Sequence, residues 1–547
     1  MPTIEFSKKD LEQLVGESMD EEELEQNLTR VKVEVEEIDG DRVEVETTSD
    51  RIDLLSVEGI ARNLKSYLDI EPGLKKYNIG ESGHKVKVEK VPVRPHVVTA
   101  VVKDIEMDKE AFESLIQLQE KIHGTFGRNR ERVSIGVHDM EGIEFPCTYQ
   151  AVKPSEFSFV PLEKQEEMNL EEILEEHEKG REYGDIISDA DEWPLIVDSA
   201  GKVLSFPPII NGKITEVSED SEDLFIDVTG TDLESVKFAL NVIVTSLAER
   251  EGEIQKVEMA DPEGNFLTPE FSTREIHVDL EEMRSITGID LDKDKATEYL
   301  EKMGYGVIEI GEDIEAVIPP YRADILHEVD IAEDIAIGFG YNNIEPELPN
   351  ISTIGEEDPV ERFMHLVREV MTGLGYQEIM NPTLSNKETL IDLFGRDSDL
   401  VEIDNPVSEN YTVCRDILMP QLLETLARNT HNRYPQKVFE TADVVLKDRS
   451  KPQKARTDKH LSAVCSGKDV NLNSLREEVE GVLEALGIEK EIKETEIPGF
   501  IDGRCAEIIV DGESVGHIGE VHPRILNELG IEMPVSGFEL DLSRIEA

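Results

Sequence analysis

The chain reads as an α+β protein of several domains, and three observations lead there. Its 547 residues set a prior of about three to five domains. Apolar residues make up 38% of the total, enough for several separate cores. Stretches with the three-and-four spacing of amphipathic helices stand beside stretches with the two-residue alternation of strands, so helices are expected next to small sheets.

The first unit covers residues 1–85. Ser7 precedes the run LEQLVG and is its expected helix cap. Residues 31–45 alternate apolar and acidic positions, the period of paired strands, with Asp39-Gly40 as the turn. The stretch TSDRIDLLSVEGIAR, from Thr48 to Arg62, leads out of the unit.

The second unit covers residues 86–265. Arg94-Pro95-His96 opens the strand VVTAVVKDI, and a helix follows over 110–123. Arg128, Arg130 and Arg132 form the strongest local basic cluster in the chain. Two readings of it stay open: contact with an RNA phosphate, or ties to acidic neighbours. Residues 134–139, SIGVHD, continue as a strand, and the acidic run EEMNLEEILEEHEKG reads as a solvated helix. VLSFPPIINGKI (203–214) precedes LFIDVTGTD (224–232), a buried strand ending in polar turn residues. Ser205, Asn211, Asp227 and Thr229 are thereby candidates to line one pocket at strand ends. Thr231 and Asp232 read as caps of the helix that begins near Leu233 and runs through Leu247.

The third unit covers residues 268–348. It holds the strand TREIHVDL, a helix over 292–303 ended by Gly304-Tyr305-Gly306, and a helix over 325–339. In the last helix, Ile325, Val329, Ala332, Ala336 and Phe339 fall on one stripe, and Gly338 and Gly340 are the expected stop. Asp330, Glu333 and Asp334 stand at i, i+3 and i+4, which would set their carboxylates side by side, with Asp324 just upstream. Crowded carboxylates repel, and a hard cation such as Mg2+ relieves that repulsion. The competing reading is one more acidic face on a very acidic chain.

The fourth unit covers residues 355–547. A helix is expected over 359–374, then strands near 375–379, 437–440, 442–446, 516–521 and 538–542. His517 and His522, five apart beside Glu520, read as structural, since catalytic zinc takes three protein ligands in a defined geometry.

There are 121 acidic residues against 56 basic ones, a formal net charge of −65. That balance argues against generic nucleic-acid binding, which needs clustered Lys and Arg. Any RNA partner needs local basic patches or cations from a second subunit. The four cysteines (Cys147, Cys414, Cys465, Cys505) have neither metal-ligand nor redox-motif spacing, so reduced thiols are expected. No signal peptide is visible, and no apolar run approaches the ~18 residues that cross a bilayer. A cytoplasmic protein with no membrane contact is expected.

One string is more specific than composition. Arg322, Asp324, Ile325, Asp330, Ile331, Glu333, Asp334 and Ala336, followed by Gly340-Tyr341-Asn342-Asn343-Ile344, resembles the signature of the phenylalanyl-tRNA synthetase β-subunit family. The resemblance implies that Asp324, Asp330, Glu333 and Asp334 hold Mg2+. The 48–62 stretch resembles the family's N-R-x-D-L-x-S-x-x-G-x-A-R, with Asp50 where that pattern has Asn. SFPPIIN and DVTGTD are similar to the editing domain of its archaeal and eukaryotic type. Residues 355–547 look like the antiparallel sheet of class II synthetases without its catalytic arginines: Phe439-Glu440-Thr441-Ala442 lacks the paired Arg.

The resemblance thus implies four modules. They are an N-terminal module (1–85), an editing domain (86–265), a winged-helix-like Mg-binding module (268–348) and a catalytically silent class II-like interface domain (355–547). It implies an α2β2 tetramer that joins phenylalanine to tRNA(Phe) through an adenylate, with ATP and phenylalanine bound mainly by the α subunit. It also implies hydrolysis of mischarged Tyr-tRNA(Phe). An apolar pocket rejects an added hydroxyl by only about 10²-fold, so a second, hydrolytic site closes the gap. Ser205, Asp227 and Thr229 are the expected residues of that site. No Ser–His–Asp arrangement is legible there, which favours a positioned water over a covalent nucleophile. Two rival readings stand beside this one: a free-standing trans-editing hydrolase, and a tRNA-binding or assembly protein without chemistry. The acidic composition looks like adaptation to a high-salt cytoplasm, of halophilic archaeal character.

Overall fold

Ser7 caps the first helix as its position requires: its hydroxyl accepts from the Asp10 amide, and the helix Lys8–Val15 ends at Gly16 with φ +88°. The alternation at 31–45 becomes the hairpin Val33–Asp39 and Arg42–Thr47, with Thr3–Ser7 as the third strand of the sheet. Leu11, Leu24, Leu28, Val43, Val45 and Ile60 close a core beneath it. The computed structural model describes residues 1–262, 264–311 and 313–545. The chain divides into two units, Met1–Leu348 and Pro349–Ala547.

The centre of the first unit is a ten-stranded sheet. Along it lie Ile210–Asn211, Val203–Phe206, Trp193–Val197, Cys147–Val152, Ile79–Val88, Glu253–Asp261, His96–Lys103, Leu224–Gly230 and Val133–Asp139, with Gly264–Thr268 paired beside Glu253–Asp261. Strand Ile79–Val88 belongs to this sheet and spans the 85/86 division. Ile79–Val88 runs parallel to both its neighbours, and the other pairs are antiparallel. The two ends of the sheet curl towards each other, and Asn211 Nδ2 donates to Val137 O at 3.2 Å across the seam. Helix Leu233–Ala248 packs on one face, capped by Asp232, which accepts from the Ser235 amide. The acidic run folds as two short helices, Leu170–Glu176 and Glu178–Tyr183, with Leu170 and Ile173 buried rather than solvated throughout.

Further along the first unit, a three-stranded sheet, Arg274–Val278, Asp313–Ile318 and Gly306–Ile310, carries the helices Leu280–Thr287, Lys293–Lys302 and Glu328–Phe339. The last helix starts at Glu328, not near 325, because Asp330 turns back and accepts from the amides of Leu326 and His327. Val329 is exposed, and the buried stripe is carried by Ile331, Ala332, Ile335 and Ala336. Gly338 lies inside the helix: a Cβ there would meet Tyr299 O at 2.4 Å, so the residue permits close helix packing, and Gly340 is the stop.

The second unit is built on a seven-stranded sheet in the order Gln377–Glu378, Gln436–Lys447, Ala455–Ser466, Val535–Asp541, Glu513–Val521, Phe500–Val510, Glu491–Glu494. The first pair is parallel and the rest antiparallel. The two strands expected at 437–440 and 442–446 are one continuous strand. Helices Pro359–Gly373 and Leu472–Ala485 share a core with Phe439, Leu461, Phe538 and Leu540. His522 caps helix Pro523–Glu528 and is structural.

Candidate functional site

Two sets of polar side chains stand out in the first unit. The first surrounds Arg322. This buried guanidinium forks onto Asp324 (Nε–Oδ1 2.8 Å, Nη2–Oδ2 2.6 Å) and also donates to Asp334 Oδ2 at 2.8 Å, where Tyr305 Oη adds a bond of 2.6 Å. Arg51 makes the same i,i+2 fork onto Asp53, at 2.9 and 2.8 Å. Burial alone would raise the Asp324 carboxyl; Arg322, with Arg51 behind it, holds it at about 2. Two guanidiniums and three carboxylates thus meet in a dry interior, where losing either cation leaves a carboxylate uncompensated.

The four expected ligands do not project side by side. Asp324 and Asp334 turn inward to Arg322, and Asp330 caps the helix start. Glu333 points outward and pairs with Lys32 at 2.9 Å, in a cleft of about 790 Å³ that Glu34 and Glu46 also line. Successive helical positions are about 100° apart, which sends Glu333 to solvent and Asp334 to the interior. The donor set is all carboxylate, as a hard divalent cation takes, and Asp334 Oδ1 is buried without a hydrogen-bond partner. In donor chemistry the residues fit Mg2+. Among the described residues, the group whose carboxylates bring ligand oxygens within 4.8 Å of one another is Glu34, Glu36 and Glu46, on the N-terminal hairpin. Nothing in its spacing singles it out from other acidic strands.

The second set lies at the seam of the large sheet. On strand Leu224–Gly230, side chains alternate: Leu224, Ile226 and Val228 join the core under helix Leu233–Ala248, while Phe225 faces the other way. Asp227 and Thr229 share that other face. Asp227 Oδ2 meets His138 Nε2 at 2.8 Å, and His138 Nδ1 meets Thr215 Oγ1 at 2.8 Å. A carboxylate only accepts, so His138 Nε2 donates to Asp227. The Asp227 carboxylate lies over Gly136 in the adjoining strand. Ser205 Oγ donates to Asn211 Oδ1 at 3.0 Å, and Asn211 crosses to Val137 O, the residue before His138. Arg94 holds Thr229 through Oγ1 (2.8 Å) and its carbonyl (2.7 Å), and burial pulls this guanidinium down to about 10.

Ser205 and Asn211 are thus bonded to each other and to the carbonyl of Val137, one residue before the His138 that holds Asp227, and Thr229 is tied separately to Arg94. Ser205, Asp227 and Thr229 are buried, with Asp227 1% exposed and Ser205 3%, and Asn211 is half-buried. A hydroxyl–imidazole–carboxylate series does exist here, as Thr215–His138–Asp227, contrary to the sequence expectation. His138 is 89 residues from Asp227 and 77 from Thr215, so no local motif signalled it. Thr215 is itself buried, so the series orients Asp227 and presents no accessible nucleophile.

Comparison with known proteins joins these sites to one family. Residues 344–542 match the model described as the phenylalanyl tRNA synthetase beta chain CLM domain. Residues 276–341 match the tRNA synthetase B5 domain, and residues 1–70 the Phe-tRNA synthetase beta subunit B1 domain. The phenylalanine–tRNA ligase beta subunit of Archaeoglobus fulgidus is 42% identical over 549 residues, covering 99% of this chain and 98% of that one. The corresponding subunit of Methanocaldococcus jannaschii is 40% identical over 548 residues, covering 99% and 100%. A crystal structure of an N-terminal fragment of the phenylalanyl-tRNA synthetase beta subunit from Pyrococcus horikoshii superposes with a TM-score of 0.60 at 43% identity, covering 62% of this chain and all of the fragment. With similarity of this depth along nearly its whole length, the chain belongs to the phenylalanine–tRNA ligase β-subunit family.

Proposed function

We propose that this chain works with an α subunit in an α2β2 ligase that attaches phenylalanine to tRNA(Phe) with ATP, and that it hydrolyses mischarged Tyr-tRNA(Phe). The observation that carries the reading is similarity to β subunits over 99% of the chain. The α subunit binds ATP and phenylalanine, and residues 355–547 form the interface domain. The polar interior of that domain supports a silent role. Glu440 is buried and tied to Arg415 at 2.8 Å, and Glu539 accepts from the amides of Leu418 and Met419 and pairs with His460. These buried charges are neutralised within the fold.

Residues 268–348 act as the winged-helix-like Mg-binding module, with Asp324, Asp330, Glu333 and Asp334 as ligands. When bound, Mg2+ would supply positive charge to carboxylates that otherwise pair with Arg322, Lys32 and the helix-start amides. Residues 86–265 act as the editing domain. There Asp227, oriented by His138, and Ser205, paired with Asn211, position a water against the ester carbonyl, while Thr229 fixes the strand end. The protein works in a salt-rich cytoplasm.

The editing assignment is tested by Tyr-tRNA(Phe) deacylation with the α-bound protein. Replacing Asp227→Ala together with Thr229→Ala is expected to abolish hydrolysis while Phe-tRNA(Phe) formation continues. Hydrolysis at the wild-type rate in the double variant would contradict it.

A further inference from the structure

The arginine cluster at 128–132 separates into distinct roles once its partners are known. Arg130 is buried: Nη1 donates to Pro208 O and Ile209 O (3.2 and 2.9 Å), Nη2 to Glu120 (2.8 Å), and the guanidinium lies 4.4 Å over the Tyr183 ring. Arg132 reaches Asp232 at 3.5 Å and covers Phe126. Arg128 is exposed, and among the described residues its guanidinium has no ion pair or hydrogen bond.

The backbone that carries Arg128 is unusual. Arg128, Asn129 and Arg130 have φ of +52°, +53° and +68°, three successive non-glycine residues in the left-handed region. Each costs roughly 1–2 kcal/mol and persists only where its surroundings fix it. Here the Gly127 amide bonds Ile122 O at 2.7 Å, the Arg132 amide bonds Gly127 O at 2.9 Å, and Arg130 locks the loop from inside. The same loop touches both halves of the seam. Arg94 joins Glu131 O to Thr229, the Thr231 amide bonds Arg132 O, and Arg130 holds the turn at Pro208–Ile209 that follows Ser205.

We propose that Arg128 is the phosphate contact by which the seam holds the acceptor end of an aminoacyl-tRNA, with Arg130 as the anchor of its loop. This rests on the editing reading above. A guanidinium fork suits a phosphate. On a chain of net charge −65, long-range attraction for RNA is missing, so an unpaired cation already held beside the site is what a phosphate meets. The rigid loop also removes part of the ordering cost of that contact.

The test uses the complex assembled with its α subunit and two substrates, Tyr-tRNA(Phe) and 3′-O-tyrosyl-adenosine, which has no phosphate. Arg128→Ala is expected to raise KM for Tyr-tRNA(Phe) about tenfold with kcat unchanged, as loss of one charged hydrogen bond implies. It should also lower the slope of log KM against log KCl by about 0.7 to 1, and Arg128→Lys should recover part of both. Hydrolysis of tyrosyl-adenosine should not change. An Arg128→Ala enzyme with wild-type KM and salt slope, or one impaired equally on both substrates, overturns the proposal. A wild-type complex that hydrolyses neither substrate overturns the editing reading itself, and the proposal with it.

Discussion

Asp227 owes its place to the missing side chain at Gly136. A Cβ there would lie 2.2 Å from Asp227 Oδ2 and 3.0 Å from His138 Nε2, so Gly136→Ala must push the carboxylate off its partner. Such overpacking costs about 1–3 kcal/mol. The variant is expected to lose Tyr-tRNA(Phe) hydrolysis while still supporting Phe-tRNA(Phe) formation, and paired deacylation and charging assays check this. Nearby, His123 accepts from the Ile135 amide at 2.8 Å through Nε2, a role only the neutral ring can play. Burial, reinforced by the Arg130 cation, holds this imidazole at about 4 despite Glu120. A depressed histidine is protonated first in the unfolded chain. Its contribution, roughly 3 kcal/mol for a drop from 6.5 to about 4, is therefore present above pH 6.5 and lost as pH falls towards 4. Thermal melts of wild type and His123→Gln over that range measure it, and the variant's stability should depend less on pH. His460 has the opposite sign. Burial opposes its charge, but Glu539 outweighs burial and raises it. Its stabilisation is full below about 6.5 and declines as pH rises through the higher folded value. Asp227 and Thr229 were legible as polar residues ending an apolar strand. His138 and Thr215 were not, because tertiary closure of the sheet, not sequence spacing, brings them in.

At the scale of elements, helix Glu328–Phe339 shows what spacing conveys and what it misses. Its type and its end near Gly340 follow from periodicity and glycine. Its start does not: counting from Ile325 overlooks the reach of Asp330 back to two amides, which holds residues 326–327 in the cap. Spacing also placed three carboxylates on one face, where burial divides them between Arg322, the helix cap and Lys32. Asp330→Ala removes the cap and is expected to cost about 1 kcal/mol, read from denaturant midpoints. Mg2+ should raise the melting temperature of the wild type by mass action, with EDTA reversing the rise. Asp330→Ala and Asp334→Asn should each reduce it. A melting temperature indifferent to Mg2+ in the α-bound protein would remove the metal assignment. The repeated Arg-x-Asp forks at 51–53 and 322–324 were visible as strings. Their meeting in one buried network was not.

At the scale of the whole molecule, the family string and the sheet-rich second unit were legible, because long motifs survive where local propensity is ambiguous. The near-closure of the ten-stranded sheet was not, since a hydrogen bond between residues 211 and 137 has no local signal. Net charge dominates solution behaviour. At −65 the chain repels itself at low salt, and at 1 M salt the screening length falls to about 3 Å. Stability should rise with KCl up to molar concentrations; loss of structure above about 2 M KCl would contradict salt adaptation. The most direct measurement is co-expression with the α subunit encoded in the same genome, sizing in high KCl, and assay of Phe-tRNA(Phe) formation. A four-chain complex that charges tRNA only when both subunits are present is the expected result. A chain that stays alone, or an α subunit that charges tRNA equally well without it, would rule out a shared ligase.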